Sequence, residues 1–113
     1  MTRAAEAPSA TGIAVEIEIT EDGYLRLPGE FTLTSFPQDR CAGLRQEDEF
    51  ILMPVSPIAP NALIMKQRSL AGERSVLIRE VCGDDYPVGR LEATWLSGRR
   101  RLVIPVVPVK GEQ

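Results

Sequence analysis

The stretch Ile13-Ala-Val-Glu-Ile-Glu-Ile19 has an apolar residue at every second position and decides the fold class. Side chains alternate between the two faces of a β-strand, so the pattern predicts a half-buried strand in which Ile13 and every second residue after it face inward. The turn residues Glu21-Asp-Gly23 follow, and alternation resumes in Tyr24-Leu-Arg-Leu27 before Pro28. Together these residues predict a β-hairpin.

A different pattern lies between Pro28 and Pro37. Leu33 and Phe36 are three residues apart, and Phe31 flanks them. This spacing predicts one short helix that turns these side chains to the same side.

The rest of the chain repeats the strand pattern. The segments Ala62–Arg68 and Ser75–Val81 predict a second hairpin, and the Ser97-Gly98 turn predicts a third. Pro105 lacks an N–H, so the last strand is expected at an edge or near the end of pairing. The predicted strands that follow the first hairpin are, in full, Arg40–Leu44, Phe50–Val55, Ala62–Arg68, Ser75–Val81, Leu91–Leu96 and Arg100–Val107.

About eight short strands and one short helix predict an all-β fold, a small barrel or sandwich. Residues 13–107 form the predicted domain, in which a Pro-rich linker at 54–61 joins halves 13–54 and 62–107. The ends, residues 1–12 and 108–113, are predicted to be disordered tails. The strand at 13–19 has few partners in its own half, which favours a homodimer.

Composition excludes several classes of function. The chain has 113 residues, 43% of them apolar, and a net charge of −3, which suits one domain and lacks the positive field of a polyanion binder. Histidine is absent, which removes the commonest acid/base group and metal ligand. No glycine-rich phosphate loop occurs, and the acidic turns are expected to be solvated. We therefore predict no enzyme activity, no cofactor and no metal site.

The two cysteines, Cys41 and Cys82, stand alone in the sequence, with no Cys-x-x-Cys pattern. We expect both to be small buried hydrophobes rather than a disulfide. Residues 1–10 lack the apolar run of a secretory signal, and no stretch is long enough for a membrane helix. The expected setting is a reducing cytoplasm, without membrane attachment.

The first half resembles the AbrB/SpoVT swapped-hairpin family over about forty residues, in the order strand, Gly turn, short strand ending in Pro, short helix and two strands. This resemblance implies an intertwined homodimer that binds DNA as a regulator or an antitoxin. The corresponding segments are Val15–Ile19, Glu21–Gly23, Tyr24–Pro28, Phe31–Phe36, Arg40–Leu44 and Glu49–Pro54.

The departures from the family lie on its DNA-binding side. Tyr24 follows the turn glycine where the family commonly has a basic residue. Residues 1–60 carry four basic and ten acidic side chains, a net charge of −6, and residues 61–113 carry +3. Because phosphate binding needs several cations on one surface, the acidic half disfavours nucleic acid as the partner.

The candidate partner-binding residues are Tyr86, Trp95, Arg99, Arg100 and Arg101. The arginines flank the Ser97-Gly98 turn and would form a basic patch with Trp95, joined by Lys66 and Arg68 if their strands are neighbours. In the alternative interpretation, the arginines are simply solvated and Trp95 fills the core.

We therefore predict a non-catalytic protein-interaction or assembly module. It is expected to be a small β-rich homodimer that docks on a larger protein complex through strand edges, loops and complementary charge. The alternative is an AbrB-like DNA-binding regulator or antitoxin, favoured by the hairpin pattern and by the basic second half.

Overall fold

The computed structural model describes residues 12–46 and 48–106, where nine antiparallel strands form one sheet that curls into a nearly closed barrel. This confirms the predicted β-dominated class, with the barrel as its architecture. The strands are β1 (Gly12–Ile19), β2 (Tyr24–Leu27), β3 (Arg40–Arg45), β4 (Glu49–Pro54), β5 (Leu63–Ile64), β6 (Lys66–Gln67), β7 (Arg74–Leu77), β8 (Gly89–Leu96) and β9 (Arg101–Pro105), and the helices are α1 (Gly29–Ser35) and α2 (Arg79–Cys82).

Around the barrel the strands follow the order β5-β3-β4-β9-β8-β1-β2-β7-β6. Pairs of strands that precede residues 54–61 in the sequence are therefore interleaved with strands that follow those residues. The tails predicted at 1–12 and 108–113 lie outside the described residues, except for Gly12, which begins β1. Neither described helix is long and apolar enough to cross a membrane.

The longest pairing joins β1 to β8 over eight residue pairs, from Gly12 opposite Leu96 to Ile19 opposite Gly89. The apolar strand, which has only two pairs with β2 in its own half, therefore finds its main partner in the second half of the same chain. The alternation holds for Val15 and each second residue after it, all buried. Ile13 was predicted to face inward, but 56% of its surface is exposed because it lies at the open end of the barrel.

Helix α1 lies where it was predicted, but with a different face inward. Thr32, Ser35 and Phe36 are buried, whereas Leu33 is 60% exposed, so its predicted inward position was wrong. The buried threonine is tolerated because its Oγ1 donates to the carbonyl oxygens of Pro28, at 3.2 Å, and Gly29, at 3.0 Å.

Two predicted elements in the second half have different ends. The strand predicted at 62–68 divides at Met65, because β5 pairs with β3 and β6 pairs with β7. The strand predicted at 75–81 stops at Leu77, and the second helix, α2, follows. Gly83, with φ of 86°, ends α2, and a glycine at this position was the available sequence signal for a helix.

The last strand, β9, lies between β4 and β8 in the interior of the sheet, so the edge position suggested by its prolines was wrong. Pro105 is the final residue of β9 and lies opposite Glu49, at the end of pairing. A missing N–H is tolerated there because the ladder does not continue beyond it.

The barrel closes at Met65, the single residue between the two edge strands β5 and β6. Its side chain is 2% exposed, and its N–H donates to the carbonyl oxygen of Asp39 at 3.0 Å. The Asp39 carboxylate also accepts a hydrogen bond from Nε of the buried Arg74 at 2.8 Å, and Arg74 Nη1 donates to the Gly72 carbonyl. Asp39 and Arg74 therefore tie the two sides of the seam together.

We predict that Arg74→Met lowers the free energy of unfolding by about 2–3 kcal/mol, because it leaves the Asp39 carboxylate and the Gly72 carbonyl without their donor. The value is below that of a fully buried pair since 39% of the Asp39 side chain is exposed. Urea unfolding followed by circular dichroism measures the loss. Arg90→Met, at an exposed site without an ion pair to a described residue, is the control and should change stability by less than about 0.5 kcal/mol. Equal losses in both variants would contradict the role of the seam.

Candidate functional site

The five candidate partner-binding residues lie at the two opposite ends of β8. Tyr86 precedes β8, beside the β1–β2 turn, whereas Arg99, Arg100 and Arg101 follow it at the other end. Eight residues of β-strand span roughly 23 Å at 3.3 Å per residue. The structure therefore brings the arginines together but separates them from Tyr86.

Trp95 is 7% exposed and belongs to the hydrophobic core. Its indole meets Phe31 edge-on, with ring centroids 5.4 Å apart, and lies 5.6 Å from the ring of Phe36. This position is the one that the alternative interpretation gave it. The aromatic cluster holds α1 against the end of the barrel where β1 begins and β8 ends, which we call the mouth.

Arg99 and Arg100 lie in the turn between β8 and β9, and Arg101 begins β9; all three are exposed, and we call them the arginine turn. The Arg99 N–H donates to the Leu96 carbonyl at 3.1 Å, and Arg100 has a positive φ of 55°, so the backbone of the turn is fixed. Within residues 12–46 and 48–106, no carboxylate lies within 4 Å of the three guanidinium groups in an ion pair. Among the described residues, the charge of the arginine turn is therefore left without an ion-pair partner.

Lys66 and Arg68 do not extend the arginine turn. Lys66 lies on β6, four strands from β8 in the sheet order, and Arg68 directly follows β6. The Arg68 guanidinium lies over the Tyr24 ring, 5.7 Å from its centroid, and its Nε donates to Ser75 Oγ at 2.6 Å. The larger basic patch considered from the sequence is therefore not formed.

An apolar depression lies at the mouth, between α1 and β1, with a volume of about 800 Å³. Trp95 and Phe31 form its floor, and Ile13 and Leu33, 56% and 60% exposed, stand at its sides. We call these four residues the mouth groove. The two exposed side chains are those that the sequence pattern assigned to the interior, so the groove was missed.

Three glutamates lie beside the groove. Glu16 and Glu30 line it, and Glu92 lies directly opposite Glu16 across the β1–β8 pairing. All three are exposed, and none is in an ion pair with a described residue. Like charges directly opposite each other on neighbouring strands are unfavourable. We call Glu16, Glu30 and Glu92 the acidic rim.

The Tyr86 end of the barrel has a polar character. The Tyr86 hydroxyl donates to the Glu21 carbonyl at 3.3 Å, and Arg79 pairs with Asp84 at 3.4 Å, both across an open depression of about 660 Å³. Arg45 anchors this loop, since its Nη1 donates to the carbonyls of Cys82, at 3.0 Å, and Asp85, at 2.9 Å. Few apolar atoms are exposed there apart from Val88.

Groups that could carry metal or thiol chemistry are scarce among the described residues. No cluster of three or more His, Cys, Asp or Glu side chains there has the geometry of a metal site. Cys41 and Cys82 are free and buried, so they form no disulfide with each other. Burial raises the pKa of the Cys41 thiol to about 12, so it remains protonated at neutral pH and is not a nucleophile.

Comparisons with protein-family models, curated proteins and solved structures found no match to this chain. The function has to be argued from the mouth groove, the acidic rim and the arginine turn.

We predict that alkali destabilises the wild type more than Cys41→Ala. The folded pKa of this thiol, about 12, exceeds its ordinary value of 9.0, so between these values the unfolded chain releases a proton that the folded chain keeps. Stability is then lost as pH rises, and the wild type should lose about 2 kcal/mol more than the variant between pH 8 and pH 10.5. Urea unfolding at both pH values measures the difference. Parallel losses in the two proteins would contradict a buried, protonated Cys41.

Proposed function

We propose that this protein is a non-catalytic protein-binding module that docks on a larger assembly through the mouth of its barrel. The observation that carries the proposal is the mouth groove, where Ile13 and Leu33 stand more than half exposed above an aromatic floor. An apolar centre within a polar, charged rim is the usual anatomy of a protein–protein interface. The matching occupant is a protein surface with apolar side chains at its centre and both signs of charge around them.

Burial of the exposed side chains of the mouth groove in an interface would contribute favourably to the free energy of binding. Full burial of a large aliphatic side chain contributes about 1.5–3 kcal/mol, and Ile13 and Leu33 each have more than half of that still available. The floor under them is held rigid by the contacts of Trp95 with Phe31 and Phe36. A rigid aromatic floor reduces the entropy lost on binding.

The sheet offers one stretch of edge for strand addition, and it lies at the mouth groove. The terminal strands, β5 and β6, have two residues each, and only Met65 separates them. β1 pairs with β2 only at Glu18 and Ile19, so among the described residues its residues 12–17 have a strand partner on the β8 side alone. A peptide that adds to a sheet needs such a row of backbone groups. Strand edges, loops and complementary charge, the three mechanisms predicted from the sequence, therefore all support docking at the mouth.

The AbrB-like DNA-binding function is the second candidate, and the exposed arginine turn is the feature in its favour. Three arginines supply few phosphate contacts, and the acidic rim at the same end of the barrel would repel a DNA backbone. Because the rim includes Glu16 and Glu92 side by side, we place protein ahead of nucleic acid as the partner.

We predict that Leu33→Asp abolishes partner binding without unfolding the protein, because it places a charge in the groove at a side chain that is already 60% exposed. The measurement is capture on immobilised protein from nuclease-treated native extract, followed by cross-linking to map the contacts of each captured protein. The expected contacts lie at the mouth and disappear in the variant.

Leu44→Asp is the matched control, because Leu44 is 46% exposed on β3, four strands away from β1. It should leave capture unchanged. Contacts mapped elsewhere on the barrel, or a loss that is equal in both variants, would count against the mouth groove. Capture of DNA that disappears with nuclease would favour the AbrB-like alternative instead.

A further inference from the structure

We infer that the mouth groove takes a second copy of this chain, so that two barrels associate mouth to mouth about a two-fold axis. The inference rests on the proposed function, since it uses the same surface, and it names the occupant. The juxtaposition that carries it is an acidic rim and an arginine turn on the two sides of one apolar groove.

Among the described residues, the glutamates of the acidic rim have no ion-pair partner. Glu16 and Glu92 face each other across neighbouring strands, and no described cation pairs with either carboxylate. Arg90 lies two residues from Glu92 on β8, opposite Glu18, but Glu18 pairs with Arg26 of β2 instead, at 3.8 Å. A cationic partner from outside would relieve the repulsion between the two glutamates.

The arginine turn carries positive charge without an ion-pair partner among the described residues. It lies too far from the acidic rim to relieve the repulsion between Glu16 and Glu92. Glu16 lies four residues from Gly12, which pairs with Leu96 just before the turn, and four residues span about 13 Å of strand. This exceeds the screening length of about 8 Å at physiological salt. The two charged groups of one chain therefore interact weakly with each other.

A two-fold axis through the groove brings these groups together. In an isologous interface each patch meets the symmetry-related copy of its complement, so the rim of one copy meets the arginine turn of the other, twice. Ile13 and Leu33 of the two copies then lie at the centre, where apolar side chains belong in an interface. The same surface therefore carries both the negative and the positive groups that a two-fold interface would pair.

A stable interface needs about 800 Å² from each partner. That is roughly an eighth of the 6720 Å² exposed by one chain. The groove and the turn lie at the mouth, and Glu16 and Glu92 lie near the middle of the β1–β8 pairing, so this area has to extend from the mouth along the wall of the barrel, which leaves the Tyr86 end free in both copies.

The test is charge exchange in the purified full chain, followed by analytical ultracentrifugation. The wild type is expected to sediment as twice its 12.4 kDa mass. One variant reverses the rim, Glu16→Arg with Glu92→Arg, and the other reverses the turn, Arg99→Glu with Arg101→Glu. Each variant alone presents like charges to itself, so its self-association should weaken at least about 100-fold.

The decisive sample is the equimolar mixture of the two variants, in which opposite charges again face each other and a heterodimer should form. The control for general attraction is Arg79→Glu with Lys66→Glu, which changes the net charge as much as reversing the turn but acts away from the mouth, in α2 and on β6, four strands from β8. It should form dimers alone and no heterodimer with the rim variant. Thermal unfolding confirms that every variant is folded.

A wild type that remains monomeric at 100 µM would overturn the inference, as would a mixture without heterodimer or variants that dimerise like the wild type. These failures are separate from failure of the proposed function. If the wild type is a monomer but captures a partner that Leu33→Asp does not capture, the protein-binding function stands and only the second copy is excluded as the occupant of the groove. If the wild type forms a charge-dependent dimer but captures no partner, the inference stands and docking on a larger assembly is excluded.

Discussion

The register of the β1–β8 pairing determines the rest of the molecule. Eight consecutive pairs set Ile13 beside Trp95 and Glu16 opposite Glu92, and they bring the start of β1 next to the arginine turn. A shift by one residue would exchange the faces of β1 and move its buried side chains to solvent. The core therefore fixes the register, and the register in turn fixes the groove, the rim and the turn at one end of the barrel.

The parts of this fold that could be predicted from the sequence are local. The alternation in β1, the glycine turn after it and the Ser97-Gly98 turn each act within a few residues, and their hairpins lie where they were predicted. The pairing of β1 with β8 joins residues about eighty positions apart, and no local pattern specifies it. The division of one predicted strand at Met65 likewise follows from closure of the barrel, because its two halves pair with strands on opposite sides of the seam.

The candidate site was only partly predictable, for a related reason. The arginine turn could be located because a turn exposes whatever charges flank it. The groove could not, because Ile13 follows the apolar period of β1 but lies where that strand begins at the mouth, and Leu33 is exposed because α1 turns Thr32 and Ser35 inward instead. Thr32 shows the converse, since a polar residue is buried when the carbonyls of its own helix accept its hydroxyl. Periodicity shows which residues share the apolar face of a strand or helix, but it does not show whether another element covers that face.

A nearly closed barrel also limits how such a protein can associate. The edges on either side of Met65 have two residues each, and the longer unpaired edge among the described residues is that of β1 at residues 12–17, beside the mouth groove, so contacts are directed to the mouth. The two ends are chemically different: the mouth combines apolar side chains with separated charges, and the Tyr86 end is polar, with an exposed ion pair between Arg79 and Asp84. A two-fold contact at the mouth would leave the two Tyr86 ends exposed and facing away from each other. This asymmetry makes the mouth, rather than the Tyr86 end, the end of the barrel suited to a second copy.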